Sequence, residues 1–243
     1  MARLLAAAYG LVAYLIFFVA FLYAVGFVGN WVVPKSIDSG SEWALLPSLA
    51  VDLALLGVFA VQHSLMARPF FKRWWTRFVP APVERSTYVL FSSLALLLLY
   101  WQWRPLTAPI WSAHGVLADV LIALMLLGWA LVLVSTFLIS HFELFGLAQV
   151  WRNFRQQPTP APSMMTPLFY GFVRHPIYLG FVIAFWATPV MTLGHLIFAI
   201  MTTVYMLVAI QFEEHDLIEV FGERYVVYRQ RVSMIVPMPP KGG

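Results

Sequence analysis

Long uncharged stretches alternate along the chain with short segments in which the charges gather. A helix crossing a hydrocarbon core needs about 20 apolar residues. Leu4 to Gly29 is an uncharged run of that kind; it is too long for a signal-peptide core and predicts a retained first span. Trp43 to Val61, interrupted by Asp52, predicts a second, Ser86 to Trp103 a third, and Gly115 to Ser140, with Asp119 near its start, a fourth. Pro176 to Gly194 and His195 to Gln211 are shorter. The break from Thr188-Pro189 to Gly194-His195 reads as a tight re-entry, so these two blocks predict a helical hairpin, since together they exceed one crossing. The expected fold is all-α: a polytopic integral membrane bundle of five to six spans. Within a single domain of residues 1–243, residues 1–140 form a four-span bundle and residues 166–237 the hairpin and a C-terminal segment.

Composition points the same way. Of 243 residues 61% are hydrophobic and 11% charged, with a mean hydropathy of +0.80, whereas soluble domains carry about 25% charged residues. The net charge of +4 comes with no basic groove or nucleic-acid reader, so no nucleic-acid partner is expected. With six crossings, Lys35 and Arg104 fall on one side and every other basic residue, from Arg3 to Lys241, on the opposite side. That bias makes both termini cytoplasmic, in a bacterial inner membrane. The chain has no cysteine, which excludes disulfides, thiolate metal sites and an enzyme-bound thiolate nucleophile.

The remaining polar residues collect on the basic side. Span two ends in Gln62-His63-Ser64, span three begins with Glu84-Arg85-Ser86-Thr87-Tyr88, and span four ends in Ser140-His141-Phe142-Glu143. Arg174-His175-Pro176-Ile177-Tyr178-Leu179-Gly180 enters the hairpin and Glu213-Glu214-His215-Asp216 leaves it. Each cluster alone has a plainer reading as caps and interfacial anchors. Lys72, Arg73, Trp74, Trp75 and Arg77 suit lipid headgroups, and Asp52 and Asp119 suit interhelical hydrogen bonds. The segment from Arg174 to Gly180 resists that reading. Pro176 at a helix start leaves amide donors at a positive helix end beside Arg174 and His175, and such a place binds an anion. Gly180 permits close approach to the helix, and Glu213 with Glu214 supplies carboxylates for ribose hydroxyls or an amine. A zwitterionic, nucleoside-bearing ligand fits that combination.

The segment from Arg174 to Gly180 resembles the RHPxYxG signature of the isoprenylcysteine carboxyl methyltransferase-like membrane enzymes. The later run Glu213-Glu214-His215-Asp216-Leu217, Phe221-Gly222-Glu223-Arg224-Tyr225 and Tyr228 is similar to their second motif. That resemblance covers about residues 166–237 and implies S-adenosylmethionine as cofactor. It further implies that this cofactor is held between the hairpin and the C-terminal segment at the cytoplasmic face, by Arg174, His175, Pro176, Tyr178, Gly180, Glu213 and Glu214. Gly26 to Asn30, Val33 to Asp38, Gln62 to Pro69 and His141 to Leu147 further resemble the bacterial methanethiol S-methyltransferases. This resemblance implies methylation of methanethiol, or another small thiol, to the sulfide, with membrane lipid around the site. A thiol reacts as thiolate, so a base is expected: His141 with Glu143 orienting it, or His63 instead. An i, i+2 pair shares a face only if the helix ends near Ser140. Two alternatives stay open: a lipid-type acceptor (a prenylcysteine carboxylate or a phospholipid amine), and a haem-binding electron carrier using His63, His141, His175 and His215.

Overall fold

The computed structural model describes residues 1–237; Lys241, counted above with the basic side, lies outside them. Ten α-helices, one 3-10 turn and two short strands make up the described chain. Five of these helices are long and apolar enough to cross a membrane, so the protein is a polytopic membrane helical bundle. The helices fall into two compact units. The first comprises Met1–Ala108, His141–Pro160 and Thr192–His195, the second Pro109–Ser140, Ala161–Met191 and the described residues from Leu196 onward.

Unit 1 is built on α1 (Ala2–Gly29), α2 (Leu45–Ala67) and α4 (Ala81–Gln102), with α3 (Pro69–Trp75) between the last two. Helix α1 is about 42 Å long at 1.5 Å per residue, more than a hydrocarbon core requires. It ends on Asn30, whose φ of 57° is the left-handed conformation that asparagine tolerates at a helix end. α1 and α4 run parallel: Tyr9 bonds Thr87, Tyr23 stacks on Tyr100, and Phe27 meets Trp103 edge-on. α2 runs antiparallel to α4, with His63 against Tyr88 and Ser92, and Asp52 against Arg104. One end of unit 1 therefore carries Arg3, Arg68, Lys72, Arg73, Arg77 and Arg85, and the other Lys35 and Arg104. The short α6 (His141–Leu144) and α7 (Leu147–Arg155) add Arg152 and Arg155 to the basic end, because Val150 packs on Gly10 near the start of α1. Between them Gly146, at φ 87°, lies so close to Ser86 that a Cβ would stand 2.7 Å from its backbone nitrogen. Only glycine meets both conditions.

Asp52 behaves as expected, accepting the Arg104 backbone N–H at 2.8 Å. Asp119 does not: it is exposed in the first turn of its helix, where the helix dipole favours a negative charge. Of the paired tryptophans, Trp74 is exposed, while Trp75 turns inward onto Met66, Tyr88 and Val89.

Unit 2 holds α5 (Val116–Ile139), α8 (Pro176–Trp186), most of α9 (Leu193–Phe221) and α10 (Glu223–Arg231). Helix α5, expected with the N-terminal four-span bundle, packs here against α8. At their crossing a Cβ on Gly180 would lie 2.7 Å from the Gly128 carbonyl oxygen, and one on Gly128 would lie 2.6 Å from the Ala184 nitrogen. Small residues of this kind let two backbones touch in lipid, where no hydrophobic force drives helices together. α8 and α9 form the expected hairpin. As α8 advances its partners recede along α9, with His175 on Glu214, Tyr178 on Glu213 and Trp186 on Thr203.

The two arms are unequal, which corrects the expected pair of similar spans. α8 is helical for 11 residues, about 16 Å and half a crossing. It stops before Thr188-Pro189, because the residue ahead of a proline is driven out of the helical region. The chain continues as strand β2 (Val190–Thr192), paired with β1 (Pro109–Ser112), so its backbone groups stay bonded. α9 runs ten residues beyond the expected end at Gln211, to Phe221, and Glu213 to Asp216 lie on it rather than beyond it.

Candidate active site

At the open mouth of the unit 2 hairpin the predicted polar residues meet. His175 is the N-cap of α8 and Pro176 its first residue, where a missing N–H loses nothing. The amides of Arg174 and His175 donate to the carbonyls of Ser233 and Met234, at 2.8 and 3.1 Å, which straps the C-terminal segment along the hairpin entrance.

Charge is concentrated and satisfied there. Arg174 donates from Nε to Glu214 Oε1 at 2.7 Å and from Nη1 to the carbonyls of Arg229 and Val232. His175 Nε2 lies 3.1 Å from the same Glu214 oxygen, and Arg229 approaches its other oxygen at 3.6 Å. His175 and Glu214 are both buried. Glu214 is therefore the keystone of an ion network rather than an open carboxylate. Glu213 is different: its side chain is 45% exposed, and one oxygen accepts the Tyr178 hydroxyl at 2.9 Å.

Helix α10 closes the other flank. Tyr228 donates to the Tyr170 carbonyl at 2.6 Å, and burial, opposed by Arg174 and reinforced by Glu214, pushes its phenol up to about 12. Tyr225 is buried and its hydroxyl has no partner among the described residues. Burial and the Glu214 charge raise its phenol above the ordinary value, so it stays a proton donor. Beside Tyr228 lies a cleft of about 310 Å³, lined by Thr166, Arg224 and Arg231 together with Met164, Val227 and Val232. That volume is at the lower end for small-molecule sites. The close approach permitted by Gly180 belongs to α5, so its lack of a side chain is explained by helix packing.

The other predicted residues sit in unit 1, where each histidine has a neutral hydroxyl partner and Glu143 an ionic one. His141 is 3% exposed. Its Nε2 lies 2.9 Å from the Tyr14 hydroxyl, and its ring meets Phe145 and Phe142 edge-on. Burial holds the imidazole below its ordinary pKa, keeping it unprotonated at neutral pH. Glu143 does not serve this ring as expected. Both its oxygens are taken by Arg152 at 2.7 Å, with Gln149 adding a third bond, so it fastens the α6 turn to α7. The i, i+2 spacing accounts for this, since consecutive odd positions diverge on a helical turn. His63 packs beside Phe59, its Nδ1 3.1 Å from Ser92 Oγ and its Nε2 2.9 Å from the Tyr88 hydroxyl. Tyr14, Arg152 and Arg229 are not singled out by the sequence as site residues, and Tyr88 stands there only as a member of the polar cluster that begins span three. Each is a helix-to-helix partner, fixed by packing phase and unmarked by any local motif.

By fold and site, this is an integral membrane helical protein with an ionised cluster at a hairpin mouth and buried imidazole–phenol pairs elsewhere. Over 240 residues, 98% of each chain, it is 57% identical to methanethiol S-methyltransferase of Mycobacterium tuberculosis. Over 236 residues it is 56% identical to methanethiol S-methyltransferase 1 of Bradyrhizobium diazoefficiens, covering 97% of this chain and 83% of that one. A more distant relative is nurim of Mus musculus, 30% identical over 183 residues, 72% of this chain and 70% of the other. No family model matches, and no solved structure does. The chain belongs to the methanethiol S-methyltransferase family, and it is a methyltransferase.

Proposed function

We propose that the protein transfers the methyl group of S-adenosylmethionine to methanethiol, giving dimethyl sulfide, with the donor held at the unit 2 hairpin mouth on the cytoplasmic face of a bacterial inner membrane. The observation that carries this reading is the convergence of Tyr178, Glu213, His175 and Glu214 beside a buried Tyr225 hydroxyl that lacks a partner. An orphaned buried donor costs about 1–3 kcal/mol, which a bound polar ligand would offset. The second oxygen of Glu213 suits ribose hydroxyls or the donor's ammonium, and the positive end of α8 or the two cleft arginines suit its carboxylate.

When bound, the donor supplies an electrophilic methyl on a sulfonium. The chain's own part is to bind, orient and keep water away. Arg174 and His175 do not face the ligand as free charges; with Glu214 they hold the α8 start and the C-terminal strap in one geometry. His141, or His63 as the alternative, takes the thiol proton. Glu143 keeps the His141 turn in place. Thiolate and sulfonium give two neutral products, so charge vanishes as the reaction proceeds, and a water-poor membrane site favours that step.

The test offers the purified enzyme a methyl-labelled donor with methanethiol, hydrogen sulfide, a prenylcysteine analogue and phosphatidylethanolamine. Label is expected in the volatile sulfide. Label appearing only in the lipid-type acceptors would overturn the thiol reading.

A further inference from the structure

His141 presents a problem for any base that must meet a thiol, because only 3% of it is exposed. The group beside it does not share that problem. Tyr14 is half-buried on α1 and flanked there by Leu11, Leu15 and Phe18, all exposed. A small apolar thiol arriving through lipid meets such a surface readily. The tyrosine ring stands edge-on to the imidazole, and Phe17 stacks on Phe145 at 3.8 Å beneath them. Two charged residues of the surrounding segments have partners of their own. Glu143 is paired with Arg152, and Arg85 donates to the Leu144 carbonyl. Ser140, which precedes His141, adopts φ 142°, a conformation rare for a residue with a Cβ, and such strain gathers at functional sites.

Resting on the thiol reading above, we propose that Tyr14 is the group that meets the acceptor thiol, relaying its proton to the buried His141. The S–H bond breaks as its proton passes to Tyr14 Oη, while the hydroxyl's own proton passes to His141 Nε2 across the 2.9 Å contact. The sulfur keeps the electron pair as thiolate, Tyr14 ends neutral, and His141 ends as imidazolium, to be discharged to solvent after turnover. This divides the work between a half-buried tyrosine and a base kept dry.

The experiment uses Tyr14→Phe, which keeps the ring and removes only the hydroxyl, in the full-length enzyme. Turnover of methanethiol should fall about 100-fold or more, within the range for general acid–base groups, while equilibrium binding of S-adenosylmethionine stays within twofold of wild type. Hydrogen sulfide, a more acidic acceptor that is largely ionised at pH 8, should lose much less. With methanethiol the variant's rate should climb about tenfold per pH unit as solution thiolate replaces the relay. The double variant with His141→Gln should be no slower than either single one. Methanethiol turnover within a few-fold of wild type, or equal loss with both acceptors at every pH, would overturn the relay. Absence of any thiol methylation by the wild-type enzyme would instead overturn the proposed function on which it rests.

Discussion

Two regions of this molecule bury polar groups, and they do it in opposite ways. Unit 2 buries charge: Arg174, His175 and the half-exposed Arg229 converge on the one buried carboxylate of Glu214, which offsets its lost hydration. Unit 1 buries neutral pairs, Tyr14 with His141 and Tyr88 with His63, inside aromatic packing. An ion network is rigid because removing one member strands the rest at a large penalty. A phenol–imidazole pair carries no such penalty and leaves a proton free to move. The contrast suits a division of labour in which the charged mouth holds a donor and the neutral pairs manage acceptor chemistry.

The contrast breaks most visibly at Glu214. Glu214→Ala leaves Arg174 and His175 buried without their carboxylate and should lose about 3–5 kcal/mol, read as a collapse of thermal stability in detergent. Glu214→Gln keeps the shape and should fall between. Next in size is the helix crossing of unit 2. Gly128→Ala gains about 1 kcal/mol of helix propensity. Its Cβ, however, would lie 2.6 Å from a backbone nitrogen on α8, and overpacking of that kind costs about 1–3 kcal/mol. Backbone cannot step aside as a side chain can, so the variant should be less stable than wild type, and a raised Tm would contradict the packing account.

A smaller effect concerns His141. Burial lowers its folded pKa beneath the unfolded value of about 6.5, so below that pH the unfolded chain binds the extra proton. Stability should be flat above about pH 7 and decline as pH falls below about 6.5. Melting curves of His141→Gln should lack that component of the decline. At the bottom of the scale, His215 and Glu219 form an exposed i, i+4 pair at 3.2 Å. Exposed pairs of this kind contribute little, and His215→Ala should leave Tm unchanged.

Much of this was legible in the residue order, for identifiable reasons. Uncharged runs marked α1, α2, α4 and α5 to within a few residues, because lipid imposes length and polarity together. That Glu213 and Glu214 return to the level of the segment from Arg174 to Gly180 followed from a hairpin; which side chain pairs with which did not. What the residue order hid lay in side-chain phase. Tyr14 sits in an uncharged run and reads there as one more packing aromatic. The true partner of Glu143 is Arg152, nine residues on, in a helix whose placement depends on Val150 fitting against Gly10. Hydropathy likewise does not distinguish the 11-residue α8 from a full span, since the strand after it is equally apolar. Only Thr188-Pro189 marks where the helix gives way.

The division between the two regions is tested most directly by measuring donor binding and methanethiol turnover side by side in two variants. Glu213→Ala removes the half-exposed carboxylate of the charged mouth and should weaken S-adenosylmethionine binding about tenfold or more, the scale of a hydrogen bond to a charged group. Tyr14→Phe should bind the donor as wild type does and fail in turnover. Wild-type donor affinity in Glu213→Ala, or donor affinity lost equally in both variants, would contradict the account.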